Sequence, residues 1–197
     1  MREVELKSVV PDLDAARRRM EQSGATLTRA GRMEDRRYDT PERTLAARDH
    51  VLRLRVYRES GRTSASLDWK GSTRIDAGYK VREELNTMIG DPDALGRILE
   101  QLAYVVTMEI DREIWQYDAS GTIVRFERYP RMDDLVEVEG EPAGIEAAIG
   151  VLALPRDGFS PERLPAFARR YETRTGQHAA LSDAALDGRR IYHVDDA

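Results

Sequence analysis

Two Glu-x-Glu pairs stand far apart in the chain, Glu3 with Glu5 and Glu137 with Glu139, and an Arg-x-Arg pair, Arg53 with Arg55, lies between them. In an extended strand residues i and i+2 share one face about 7 Å apart, so each pair sets like charges side by side. Such neighbours repel. A hard divalent cation, Mg²⁺ or Mn²⁺, turns crowded carboxylates into a binding site because it takes their oxygens together with phosphate oxygens. A polyphosphate does the same for clustered Arg and Lys. The chemistry these residues offer is metal-assisted chemistry on a phosphate chain.

Period-2 alternation places these residues on strands. In the first strand Glu3, Glu5 and Lys7 oppose Val4 and Leu6. Near 51–58, Arg53 and Arg55 alternate with Leu52, Leu54 and Val56. Over 79–89, Lys80, Arg82, Glu84 and Asn86 face away from Val81, Leu85 and Ile89. Arg125 and Glu127 alternate with Val124 and Phe126, and Glu137 and Glu139 with Val136 and Val138. Any antiparallel sheet with one face on a core and one in water alternates in this way. It is the sorting of acids from bases that argues for a site.

The chain is also duplicated. Glu5-Leu6, Asp12, Asp14-Ala15, Arg18, Glu21 and Gln22 recur as Glu84-Leu85, Asp91, Asp93-Ala94, Arg97, Glu100 and Gln101, and Tyr38-Asp39 as Tyr117-Asp118, all at an offset of 79 residues. Each half reads strand, helix, then strands. The first half has a helix from Pro11 to Gly24 and strands near 25–38, 51–58 and 64–70. The second has strands near 79–89, 104–118, 121–128 and 134–140. A further helix near 160–175 is expected to start with Ser160 as N-cap and Pro161 at its first position. The expected fold is α+β, two pseudo-repeated halves closing one antiparallel barrel with helices packed outside. Residues 1–175 form the expected domain, and residues 176–197 a polar tail with little structure.

Composition bounds the partners. At 197 residues with 41% apolar side chains the chain supports one domain with a core. Its 36 acids against 31 bases give a net charge of −5, which argues against a nucleic-acid partner. There is no cysteine, hence no disulfide framework and no zinc–thiolate site. With no apolar leader or membrane-length apolar run, a cytoplasmic protein with no membrane partner is expected. His50, His178 and His193 are too scattered for a histidine metal site. Gly71 and Gly78 do not form a phosphate loop ahead of a helix. Arg17-Arg18-Arg19 reads as a solvated helix face.

At these residues the sequence resembles the CYTH family, the triphosphate tunnel metalloenzymes that include class IV adenylyl cyclases and thiamine triphosphatases. The likeness opens with Glu3-Val-Glu5-Leu-Lys7 and continues in order through Tyr38-Asp39-Thr40-Pro41 with Leu45, Leu52-Arg53-Leu54-Arg55, Trp69-Lys70-Gly71, Arg82-Glu83-Glu84, Arg112, Val136-Glu137-Val138-Glu139 and Tyr171. It covers roughly residues 1–173. The resemblance implies an eight-stranded antiparallel tunnel with Mg²⁺ or Mn²⁺ on Glu3, Glu5, Glu137, Glu139 and Glu127. It also implies a triphosphate on Lys7, Arg53, Arg55, Lys70, Lys80, Arg82 and Arg112. A homodimer is a further expectation, since related folds often pair.

There are departures. Ile110 stands where the family often carries a base, Glu127 where it has Asp, and Asn86 where it has Glu, and a loop glycine is missing around Met132-Asp133. Three functions remain open. They are cyclisation of ATP to cyclic AMP and pyrophosphate, hydrolysis of inorganic triphosphate, thiamine triphosphate or a nucleotide, and non-catalytic sensing of a polyphosphate or nucleotide. The first is preferred on length and motif spacing. In an empty tunnel the arginines are expected to repel one another, so that removing Arg53 or Arg55 leaves the ligand-free protein as stable as before or more so.

Overall fold

The computed structural model describes residues 2–190, so His193 lies outside the described residues. Strand β1 (Arg2–Val9) leads into helix α1 (Leu13–Gln22) and strand β2 (Thr26–Asp39). Then follow β3 (Val51–Glu59), β4 (Arg62–Lys70), a short β5 (Arg74–Asp76) and β6 (Tyr79–Ile89). Helix α2 (Pro92–Gln101) precedes β7 (Val105–Ala119), β8 (Thr122–Arg128) and β9 (Leu135–Glu139). Helices α3 (Pro142–Leu152), α4 (Leu164–Thr175) and α5 (Asp183–Leu186) complete the order.

The duplication is visible in the backbone. Helices α1 and α2, and strands β2 and β7, start 79 residues apart. Each helix begins on an aspartate in the same extended conformation, whose carboxylate accepts the backbone N–H three residues on: Ala15 to Asp12 at 2.9 Å, Ala94 to Asp91 at 2.8 Å. This is the N-cap that a free first turn selects.

The strands run in the order β1-β9-β8-β7-β2-β3-β4-β6, and β1 pairs with β6 to close an eight-stranded antiparallel barrel with β5 appended outside. Strand β1 joins β6 through Arg2–Glu5 and β9 through Glu5–Val9. Beyond the end of β6, the backbone of Ser160 takes over beside Lys7, donating at 2.9 Å and accepting at 3.0 Å. That bridge corrects the expected cap. Ser160 is extended, and α4 begins later, with Arg163 at its N-cap and no side-chain bond there.

The apolar core lies outside the barrel. The outer faces of β1, β8 and β9, with Leu6, Val124, Phe126, Val136 and Val138, pack under Leu13, Ala16 and Met20 of α1 and Ile145, Ile149 and Leu152 of α3. Helix α3 was not foreseen. It is apolar on most sides and carries Gly144 and Gly150, so it lacks the one-sided pattern of a surface helix. A smaller cluster seats Leu95 and Leu99 of α2 against Tyr38, Leu52 and Leu54. Outside β6, among the described residues, no helix covers Leu85, which is 56% exposed although alternation put it on the packed face.

The segment beyond Gly176, expected to carry little structure, is anchored as far as α5. Ala180 exchanges backbone hydrogen bonds with Arg131, the Leu181 carbonyl accepts the Asp111 N–H at 2.8 Å, and Ala180, Leu181 and Ser182 are buried. No helix among the described residues is long and apolar enough to cross a membrane.

Candidate functional site

With apolar faces outward, the charged faces line the bore. Glu3, Glu5 and Lys7 from β1, Arg53 and Arg55 from β3, Lys70 from β4, Lys80 and Arg82 from β6, Arg112 from β7, Glu127 from β8 and Glu137 from β9 are all buried polar residues of this wall. Glu139 is partly buried beside them. Every site residue expected from sequence therefore reaches the same interior, although they come from seven strands and from both halves of the repeat.

The acids gather toward one part of the bore. Glu5 of β1 lies directly opposite Glu139 of β9. Glu3, Glu5 and Glu139 each offer a carboxylate oxygen within 4.8 Å of the others, an arrangement able to hold a cation. Glu3 Oε2 is buried and has no hydrogen-bond partner among the described residues, which suits an oxygen that takes a cation. Lysines currently supply the counter-charge. Lys70 Nζ is 2.5 Å from Glu3 and 3.1 Å from Glu84, Lys80 contacts Glu5, and Lys7 bridges Glu5 at 3.0 Å and Glu137. Burial pushes the Glu5 carboxyl up, but Lys7, Lys80 and Lys70 together outweigh it and hold it well below the usual range. Burial pushes the Lys80 ammonium down to about 8, against the pull of Glu5. At Glu139 burial and the neighbouring Glu3 and Glu5 win over Arg125, and its pKa is raised. Glu137 and Glu127 face cations instead: Glu137 is held by Lys7 and Arg125, and Glu127 by Arg112 at 3.1 Å, Arg125 at 3.2 Å and the Tyr129 hydroxyl at 2.5 Å.

The arginines of the wall are organised by carboxylates that sequence reasoning missed. Asp35 of β2, 1% exposed, accepts a two-pronged contact from Arg55 at 2.6 and 2.8 Å and a bond from Arg112 at 3.0 Å, with Arg53 at 3.6 Å. Asp68 of β4 holds Arg53 at 2.7 and 3.0 Å. The expectation that Arg53 and Arg55 merely repel in an empty tunnel is therefore corrected. Each is fixed by a buried acid, and removing either takes from that acid its two-pronged partner. Arg112 Nη1 is buried without a hydrogen-bond partner, a donor available to an anion. Arg82 donates to backbone carbonyls, to Gly71 at 2.8 Å and Asp49 at 3.2 Å, and burial depresses its pKa.

Helix α4 borders the bore, where Arg163 and Leu164 line the cavity. Leu164 and Phe167 of α4 pack against Met108, Ile110, Tyr129 and Leu135, with Leu181 alongside. This explains Ile110: it belongs to the apolar seat of α4. Arg163, at the start of α4, reaches Asp49 at 2.6 Å on the loop before β3 and, with Val51, Arg37 and Arg82, lines that part of the cavity. The cavity at the acidic end is rimmed by Tyr57, Ser66, Asn86, Met88 and Gln116.

Asp35, Arg37 and Asp68 left little trace in the sequence. Over Met33–Asp39 both faces of β2 are charged, so alternation could not say which side turns inward. Arg125 was legible on the charged face with Glu127, and its bridge to Glu137 gives it a place in the wall.

The description CYTH domain is that of the family model matching residues 1–147. No curated protein gives a significant sequence match. Among solved structures, a Pyrococcus horikoshii protein is 22% identical over 89% of this chain and 99% of its own, with a TM-score of 0.67. A Vibrio parahaemolyticus protein proposed to be an adenylate cyclase is 20% identical over 84% and 96%, with a TM-score of 0.71. A Hippeastrum protein proposed to be an adenylyl cyclase, and described as having a dominant triphosphatase activity, is 16% identical over 91% and 99%, with a TM-score of 0.59.

Proposed function

The chain belongs to the CYTH family, and on that premise we propose that it is a divalent-metal-dependent enzyme that binds a triphosphate inside the barrel and breaks a bond of its phosphate chain. The observation that carries this reading is the meeting of Glu3, Glu5 and Glu139 within 4.8 Å, in a bore otherwise walled by Lys and Arg. Mg²⁺ or Mn²⁺ would rest on these three carboxylates, and such an ion supplies charge neutralisation and in-line alignment of phosphate oxygens. Lys70 and Lys80, which now neutralise Glu3 and Glu5, are placed to turn their ammonium groups to the phosphates instead. Arg53, Arg55 and Arg112, each held by a buried carboxylate, present guanidinium groups whose positions are set before the ligand arrives.

We assign cyclisation as the first reaction. The ribose 3′-hydroxyl of ATP gives up its proton to solvent as its oxygen forms a bond to the α-phosphorus, the bond from that phosphorus to the bridging oxygen breaks, and pyrophosphate leaves with the pair. What supports it is the rim of Tyr57, Asn86, Gln116 and Met88 beside the acidic cluster, a surface with an aromatic ring and amides suited to a nucleoside. The alternative is hydrolysis, in which water attacks the terminal phosphorus and orthophosphate is released. The triphosphatase activity ascribed to the Hippeastrum protein of the same fold favours it.

Incubation with Mg²⁺ or Mn²⁺ and, separately, ATP, thiamine triphosphate and inorganic triphosphate, with products resolved by ion exchange, separates the two. Cyclic AMP with equimolar pyrophosphate is the expected outcome. Orthophosphate, fastest from inorganic triphosphate, replaces the cyclase reading with the hydrolase one. In either case Glu5→Gln is expected to remove metal-dependent turnover, and unchanged metal affinity in that variant by calorimetry rejects the metal site.

A further inference from the structure

In the 79-residue repeat Leu6 is equivalent to Leu85 and Ser8 to Thr87. Strand pairing keeps the equivalence. Leu6 and Ser8 of β1 stand opposite Val138 and Val136 of β9, and Leu85 and Thr87 of β6 stand opposite Trp69 and Leu67 of β4. In both halves these side chains alternate with the charged residues of the bore and so belong to the outer face. One set is sealed and the other is not. Leu6 is 1% exposed and both valines are buried, whereas Leu85 is 56% exposed, Thr87 is exposed, and Leu67 and Trp69 are only half-buried.

The difference is one helix. Strand β9 is followed by the 11 residues of α3, which fold back over the outer wall and against α1. Strand β4, the equivalent of β9, is followed by the three-residue β5, which stays in the sheet beside β6. Arg19 of α1 marks the side of that helix where α3 lies, because its Nη1 donates to the Leu152 carbonyl at 3.2 Å. The residue of α2 equivalent to Arg19 is Ile98, which is 54% exposed, and Leu102 one turn on is exposed too. The charged Asp93, Arg97 and Glu100 of α2 line a pocket on its other flank, with Arg36 and Arg58. Around the place that α3 fills in its own half, the other half therefore presents an apolar strip of Leu67, Trp69 and Leu85 with Ile98 and Leu102 beside it. Such a strip on a protein surface marks an interface.

We propose that this strip is the interface of a homodimer, in which α2 of each chain lies on the β4–β6 face of the other, as α3 lies on β9 and β1, with Ile98 of one chain packed on Leu85 of its mate. A second copy is the occupant because the strip already holds both halves of the contact. It needs a helix with an unburied aliphatic side, and among the described residues α2 with its C-cap Leu102 is the one helix carrying two exposed large aliphatic side chains. A two-fold axis brings one such patch onto another like it, each residue pair occurring twice. The inference is independent of what the bore binds.

The test is sedimentation velocity of the full chain over a range of concentrations, beside Leu85→Asp, Ile98→Lys and Thr87→Lys on the strip and Leu27→Asp, which alters an exposed side chain of β2. Melting temperatures establish that each variant folds. The unaltered chain and Leu27→Asp are expected to sediment as dimers, while Leu85→Asp and Ile98→Lys each weaken association roughly 30-fold or more, the scale of an interfacial hot spot. Mixing Leu85→Asp chains with Ile98→Lys chains is expected to recover dimers, because one of the two equivalent contacts is then unaltered and the other joins opposite charges. If either variant does not fold, Thr87→Lys decides, since it adds a charge to the strip and removes no apolar side chain. A chain that stays single at every concentration overturns the proposal, as does a dimer that no strip substitution weakens. A mixture no better associated than its components rejects the contact of Ile98 with Leu85.

Discussion

Asp35 is buried among three arginines, and its carboxylate is what makes those guanidinium groups tolerable inside a barrel. Taking away one partner of a buried ion network leaves uncompensated charge and costs about 3–5 kcal/mol, so Asp35→Asn is expected to lower the unfolding free energy at neutral pH by that order, read as a lower urea midpoint with no ligand present. Burial alone pushes the Asp35 carboxyl up, but Arg55, Arg112 and Arg53 outweigh it and hold it well below the usual carboxylate range. A depressed carboxyl stabilises the fold above its unfolded pKa, and that contribution is lost as the pH falls below about 4. Stability of the unaltered chain should decline through that acid range, and the decline should be shallower in Asp35→Asn. An unchanged midpoint at neutral pH with the same acid limb would show that the arginines are stabilised elsewhere. At this scale the sequence was only half legible. Residues on cleanly alternating strands, such as Arg53 and Arg55, declared their face, whereas Asp35 and Arg37 sit where Glu34 and Arg36 charge the other face as well, so register alone reveals them.

Helix α3 shows how an element can be essential to packing and nearly silent in sequence. Its Ile145, Ala148, Ile149 and Leu152 are buried against α1 and the outer wall, and burial on several sides erases the stripe that marks a surface helix. Gly144 explains the close approach: a Cβ there would collide with the Thr122 hydroxyl at the start of β8. Intrinsic propensity favours Ala over Gly in a helix by about 1 kcal/mol, yet Gly144→Ala is expected to lower the melting temperature, because overpacking costs about 1–3 kcal/mol. A raised melting temperature would mean that α3 shifts freely on the barrel. The α4 boundary teaches a related lesson. Ser160-Pro161 has the composition of a helix start, but Ser160 was already committed to the backbone of Lys7.

For the whole molecule, the 79-residue offset carried the architecture, because it implied two like halves of one sheet before any strand pairing was known. What it could not give is the closure, which depends on a single strand. β1 pairs with β6 along one half and β9 along the other, and its contacts to β9 join residues as far apart as Lys7 and Glu137, 130 positions distant. In kinetic terms this strand is a seam. Contacts so remote in sequence bear a large loop-closure cost before they are rewarded, so the seam should be absent from the folding transition state and close last. Leu6, 1% exposed on the outer face of β1, reports on it: Leu6→Ala should accelerate unfolding severalfold or more while leaving the refolding rate nearly unchanged. A comparable slowing of refolding in stopped-flow experiments would place β1 in the nucleus instead. Until the seam closes, β6 and β9 each present an unpaired edge, and a sheet with open edges is prone to pair with other chains. The interval before closure is when this chain is most exposed to self-association.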